Sequence, residues 1–225
     1  AKFIYSNLAT GQRVEGNEIK PGISGAADLS LTYKTPVKFT KNESEFTLGV
    51  AVTNLGAKIT YTNSINRDYI PTNLGVGLGW KFNFDEYNSL LVTTDLNKLL
   101  VPTPRPEIDE DGDDIPDYKQ YSAVRGVFKS FGDAPGGFSE EMKEINIASG
   151  LEYWYDDQFA VRAGYFYEHY SKGNRKYFSA GLGVKYNIFG LDFSYLIPTT
   201  NQRNPLDNTL RFTLTFDFAA FDEEN

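Results

Sequence analysis

The chain of 225 residues has no cysteine, one histidine and one methionine. Disulfide frameworks and thiolate metal sites are therefore excluded, and imidazole chemistry is confined to His169. No stretch approaches the roughly 20 consecutive apolar residues that a membrane helix needs, and mean hydropathy is −0.41. That absence is neutral for a β-barrel, whose strands cross a membrane with only alternate residues apolar. Positive charge is also scarce: 22 Lys and Arg stand against 30 Asp and Glu, a net charge of −8. This argues against nucleic acid or another polyanion as partner.

What the chain does have is 17 Phe, 15 Tyr and 20 Gly, the residues of the aromatic girdles and close packing of membrane barrels. They recur with period two, which places alternate side chains on opposite faces of a strand. In Asn208–Phe218, Leu210, Phe212, Leu214, Phe216 and Phe218 share one face, and Thr209, Arg211, Thr213, Thr215 and Asp217 the other. Lys176–Ile188 and Thr72–Phe84 repeat the pattern, with weaker copies at Gly22–Lys34, Glu45–Leu55, Tyr87–Asn97, Ile145–Tyr155, Phe159–Tyr170 and Leu191–Pro198, and a partial one at Lys2–Leu8. About ten strands result, many near the ~9–11 residues of a tilted membrane strand and longer than the ~5–6 usual in soluble sheets. The expected fold is all-β, an antiparallel transmembrane β-barrel.

The connections support this reading. Thr199–Asp207 and Ser171–Arg175 are polar loops, whereas Asn187–Gly190, Asp156–Gln158 and Asp85–Glu86 are tight. Barrels alternate in this way between extracellular loops and periplasmic turns. Thr35–Ser44 and Gly56–Pro71 fit less well. The organisation expected is one domain over residues 1–225 with a long extracellular insertion at 98–144.

Within the insertion, Asp109-Glu110-Asp111-Gly112-Asp113-Asp114-Ile115-Pro116-Asp117 is the sharpest motif. Asp109, Asp111, Asp113 and Asp117 stand at relative positions 1, 3, 5 and 9, with a backbone carbonyl at 7, the order in which a calcium loop supplies hard oxygens. The phrase is similar to the Asp-rich calcium repeats of thrombospondin type 3. It departs from an EF-hand, because Gln120 replaces the bidentate Glu and the glycine comes early. Calcium bound there would stiffen the loop; the bland alternative is a solvated acidic loop. No other cofactor is expected.

His169 lies among Tyr165, Tyr167, Glu168 and Tyr170. Catalysis there would require a Ser or Asp within hydrogen-bond reach; an interfacial ring in an aromatic girdle is the reading preferred. Glu140 and Glu141 lie in Ser139–Glu144, expected to be a short helical turn rather than an acid/base pair. The Gly75-x-Gly77-x-Gly79 and Gly181-x-Gly183 runs are strand glycines that make room, not phosphate loops. No enzyme active site is expected.

The run Asn204-Pro-Leu-Asp-Asn-Thr-Leu-Arg-Phe-Thr-Leu-Thr-Phe-Asp-Phe218 resembles the PorV (LptO) family of the Bacteroidota type IX secretion system, outer-membrane barrels of the FadL-like class. Leu74-Gly-Val-Gly-Leu-Gly-Trp80, Asp95-Leu-Asn-Lys98, Gly150-Leu-Glu-Tyr-Trp154 and Ala163-Gly-Tyr165 agree with it. The resemblance spans essentially the whole chain and is most specific in its last third. It implies a FadL-like barrel of about fourteen strands, of which roughly the first four and a lumen-entering segment are expected to lie outside this sequence. It also implies a non-enzymatic integral outer-membrane carrier. Such a carrier docks at the giant (SprA/Sov-like) translocon barrel, binds the C-terminal signal domains of cargo, and delivers them to a sortase-like attachment complex. A FadL-type transporter of hydrophobic molecules is the alternative, but the inward Thr209, Arg211, Thr213, Thr215 and Asp217 are polar for that role. A hydrolase built around His169 is a second rival.

Overall fold

The structure, a computed structural model, describes residues 1–7, 11–14, 17–38, 44–62, 67–110, 112, 115–200 and 208–217. Ten strands form one sheet: β1 (Lys2–Ser6), β4 (Gly22–Val37), β5 (Ser44–Gly56), β6 (Asn73–Asn83), β7 (Asn88–Leu99), β8 (Ile145–Tyr155), β9 (Phe159–Tyr167), β10 (Lys176–Tyr186), β11 (Phe189–Pro198) and β12 (Leu210–Phe216). Each pairs with its neighbours in sequence, an antiparallel meander joined by simple connections. The two-residue strands β2 (Arg13–Val14) and β3 (Asn17–Glu18) form a separate small hairpin. Period-two reading places all ten sheet strands and misses this hairpin, which is too short to show a period. The expected closure is not seen among the described residues. The strand order leaves β1 and β12 as edges. Phe218, expected to end the last strand, lies outside the described residues.

The chain divides into two compact units, the first made of Ala1–Leu31, Val50–Gly75 and Asn97–Glu144, the second of Thr32–Gly49, Val76–Leu96 and Ile145–Asn225. In the second, the ladder from β8 to β12 aligns apolar side chains across neighbouring strands. Tyr153 pairs with Val161, Val161 with Leu182, Leu182 with Phe193, and Phe193 with Phe212. All five are exposed. Phe193 and Phe212 meet edge to face at 5.3 Å, and Phe189 and Phe216 at 5.4 Å, the cross-strand aromatic pairing that stabilises sheets. Asp156 and Asp157 (φ 52° and 49°) close β8 onto β9, and Asn187 (φ 49°) helps to close β10 onto β11. These short polar side chains tolerate the left-handed backbone that tight turns demand.

Strand β9 stops at Tyr167 rather than at the expected Tyr170. Glu168 turns inward there and receives Arg175 through two parallel hydrogen bonds, Nε to Oε2 and Nη2 to Oε1, each 2.8 Å. This bidentate geometry, with Glu168 N–H donating to Arg175 O at 2.9 Å, fastens the loop base in place of a longer ladder.

In the first unit, Ala26, Ile59 and Ile70 form a buried cluster against Ile4 and Tyr61. Segment 57–72 is tied in by Ser24 Oγ donating to Ala57 O at 2.6 Å and by the Ile59–Asp68 bridge. The insertion begins where β7 ends, Leu100 N–H donating to Thr72 O at 2.7 Å. It carries α1 (Asp117–Gln120), α2 (Ala123–Lys129), α3 (Phe138–Glu141) and a 3-10 turn (Met142–Glu144). The turn expected at Ser139–Glu144 is present. Helices α1 and α2 are not foreseen, because a helix of one or two turns shows no apolar period. Ser122 caps α2 by accepting from Arg125 N–H at 3.2 Å.

Candidate functional site

Two places gather polar chemistry. The first is the face of the second unit opposite its exposed apolar residues. Arg162 of β9 lies between Glu152 of β8 and Asp192 of β11, with Nε to Oε2 and Nη1 to Oδ1 both 2.5 Å. Trp154 Nε1 donates to the other oxygen of Glu152 at 2.7 Å, and Arg162 lies over the Trp154 ring at 5.3 Å. The register makes this arrangement possible. Gly183 stands opposite both Ala160 and Asp192, and a Cβ added to it would come within 2.7 Å of Asp192 Oδ1 and 2.8 Å of Arg162 Nη1. The strand glycines thus make room for an ionic cluster, the role expected of them. A cavity of about 590 Å³ on this face is lined by Thr47, Lys81, Thr93, Asp95, Glu152 and Trp154. Hydroxyls, carboxylates and cations suit water and hydrogen-bonding solutes, and a paired guanidinium in such surroundings is an acceptable partly buried charge.

The second place is the insertion and the segment it rests on. Lys98 Nζ donates to Glu141 Oε2 at 2.8 Å and Glu144 Oε2 at 2.6 Å. Glu141 Oε1 accepts from Ala134 N–H at 2.8 Å. Burial pushes the Glu141 carboxyl up, but the Lys98 ammonium and the Ala134 N–H outweigh it and hold the group below its ordinary value. Further out, Tyr69 OH donates to Tyr118 O and Tyr121 O, each at 2.8 Å, and Lys58 donates to Lys119 O and Tyr121 O while lying 4.5 Å over the Tyr69 ring. Burial, with Tyr121 and Tyr118 nearby, pushes the Tyr69 phenol up to about 12. Burial likewise lowers the Lys58 ammonium; Asp68 opposes the shift, and Arg67 and Lys119 add to it. Lys98, Lys58 and Tyr69, with the Lys119–Asp68 ion pair at 3.0 Å, therefore tie down the described part of the insertion. Nothing in the sequence pattern marks them, because each acts on partners more than forty residues away in sequence.

Of the expected calcium ligands, Asp111 and Asp113 lie outside the described residues. Asp109 Oδ1 accepts from Gly112 N–H at 2.9 Å and Asp117 Oδ1 from Glu110 N–H at 3.1 Å, so both carboxylates fold the loop on itself. Among the described residues no three His, Cys, Asp or Glu side chains converge as a metal site would require. His169 Nδ1 has Ser171 Oγ at 2.9 Å, but also accepts from Ser171 N–H at 3.3 Å. This is a local turn two residues long and exposed, with the Tyr170 ring tilted against the imidazole at 4.3 Å. Glu140 and Glu141 do not converge: Glu140 accepts from Gly136 N–H at 2.7 Å, while Glu141 faces Lys98.

A family model described as type IX secretion system protein PorV matches residues 2–106. The match covers β1 to β7 and the first residues of the insertion, and the C-terminal run that carries the resemblance most specifically lies beyond it. No curated protein matches the chain.

Proposed function

We propose, from the family model of type IX secretion system protein PorV that matches residues 2–106, that the chain is a PorV-like, non-enzymatic integral outer-membrane protein that carries secreted cargo. In this reading it binds the C-terminal signal domains of cargo at the giant translocon barrel and delivers them to a sortase-like attachment complex. The observation that supports the membrane part is the exposed apolar face of the β8–β12 ladder, where Val161, Leu182, Phe193 and Phe212 align. A water-soluble protein rarely exposes so continuous a patch, and an antiparallel ladder facing lipid on one side requires it. The opposite face carries the Glu152–Arg162–Asp192 cluster, which favours protein carriage over a FadL-type path for hydrophobic molecules.

Mass spectrometry of proteins co-purifying with the tagged protein from outer membranes tests this. The expected result is recovery of secreted proteins that share one C-terminal domain, together with a very large barrel. Recovery of bound fatty acid or hydrocarbon without those proteins would favour transport instead. The Asp109–Asp117 loop is proposed to bind calcium and stiffen. Titration of the full chain with calcium should release heat, and Asp109→Ala should abolish it; no heat at millimolar metal removes the site.

A further inference from the structure

Helix α2 of the insertion is packed inside out. Its buried side is Gly126 and Ser130. A Cβ on Gly126 would lie 2.7 Å from the Tyr69 ring and 3.1 Å from Pro102, so only glycine permits this approach. The side left outside carries Val124 (60% exposed) and Phe128 (73%), one turn apart, followed by Phe131 (51%). Arg125 and Lys129 are interleaved with them. Among the described residues no carboxylate pairs with either; both cations lie over the Tyr121 ring, at 4.7 and 5.8 Å. In a chain of net charge −8, unneutralised cations alternating with exposed phenylalanines are a local reversal of character. A short helix that hides glycine and presents Val, Phe, Arg and Lys matches the boundary of a bilayer, where rings enter the acyl region and cations reach headgroup phosphates.

We propose that α2 and Phe131 dock on an anionic lipid surface, with Phe128 and Phe131 in the acyl boundary and Arg125 and Lys129 at the headgroups. The docking rests on the reading of the chain as a membrane protein. It adds to that reading a second membrane contact, made by the insertion rather than by strands, which anchors the inserted helices to the leaflet. Each basic side chain near an anionic surface strengthens such binding, so contact depends on headgroup charge as well as on the rings.

The absence of cysteine makes the test direct. Spin labels are placed singly on Phe128→Cys, Phe131→Cys, Glu107→Cys and Val184→Cys variants of the full chain. The chains are reconstituted in bilayer discs of phosphatidylcholine with or without phosphatidylglycerol. Power saturation then compares accessibility to oxygen, which partitions into lipid, and to a water-soluble nickel chelate. The expected result is a several-fold higher oxygen preference at 128 and 131 than at 107 in the anionic discs. That preference should fall in phosphatidylcholine alone and on adding Arg125→Glu with Lys129→Glu. Val184, exposed on β10, should prefer oxygen in every disc and so reports insertion independently. Water-like values at 128 and 131 with lipid-like values at 184 overturn the docking and leave the membrane reading intact. Water-like values at 184 as well overturn both. Labels at 128 and 131 that become shielded from both reagents only when the translocon is added overturn lipid docking in favour of a protein partner.

Discussion

The β8–β12 ladder and the insertion of residues 100–144 are built by opposite means. In the ladder each residue repeats the contact of the residue two before it, so Tyr153, Val161, Leu182, Phe193 and Phe212 align through backbone register alone. In the insertion nothing repeats. Its segments are held by single side chains that satisfy backbone carbonyls and buried carboxylates: Lys98 at its end, Lys58 and Tyr69 beneath its middle. A structure held by many equal contacts tolerates the loss of any one. A structure held by few distinct contacts does not.

The largest effect should therefore come from Lys98→Met. It takes the Lys98 ammonium from Glu141 (side chain 4% exposed) and from Glu144 (18%), and breaking a buried pair from one side costs about 3–5 kcal/mol. Hydrogen exchange should accelerate over residues 132–144, while β9 to β11 keep their protection. Acid should do the same in the unaltered protein. Glu141 lies below its ordinary carboxyl value when folded, so its contribution is complete above the usual carboxylate range and is lost as pH falls through the depressed value. In Lys98→Met that acid-induced opening should vanish. Equal loosening of the ladder would mean that the two regions are one cooperative structure.

The same contrast explains what was legible in the sequence. Period-two alternation placed all ten sheet strands, because a register error would turn every side chain to the wrong face. The period-two glycine runs read as strand positions that make room, and Gly183 beside Arg162 and Asp192 shows for what. The aromatic pattern runs on to Tyr170, past the end of β9, because Glu168 breaks the ladder through a partner seven residues away. Helix α2 and the roles of Lys58, Tyr69 and Lys98 were illegible: each depends on a residue distant in sequence, and no periodicity encodes such a pair. The Glu152–Arg162–Asp192 cluster lies between. Its members sit at inward positions of recognisable strands, but only the register reveals that they meet.

Two close-approach glycines should respond next, one in each region. Gly183→Ala drives a methyl group toward Asp192 and Arg162; Gly126→Ala drives one toward the Tyr69 ring. Overpacking of this kind costs about 1–3 kcal/mol. Since Arg162 has a flexible stem and the Tyr69 ring is fixed by two hydrogen bonds, Gly126→Ala should be the more damaging. Denaturant midpoints in detergent, read separately by exchange over β10 and α2, check the ranking. Tyr69→Phe should be smaller again, about 1–2 kcal/mol, because Tyr118 O loses the phenol's hydrogen bond while Tyr121 O keeps that from Lys58. Faster exchange should then be confined to residues 117–130; an unchanged rate there would mean that Lys58 alone secures Tyr121 O.

Gly132 sharpens the comparison by reversing its sign. It follows α2 in the same insertion, but a Cβ added there meets nothing within 4 Å, and its backbone lies outside the left-handed region. Alanine at that position narrows the unfolded ensemble without a clash, so Gly132→Ala should stabilise the insertion by about 0.4–1 kcal/mol. The measurement is the exchange rate of α2 and α3 amides at fixed pH, beside Gly126→Ala prepared identically. Opposite shifts from two glycines six residues apart would establish that proximity to Tyr69 and Pro102, not a general need for a pliant insertion, dictates the glycine at 126. If both substitutions loosen α2, its position depends on backbone freedom along the whole segment, and the few-contact account of the insertion fails.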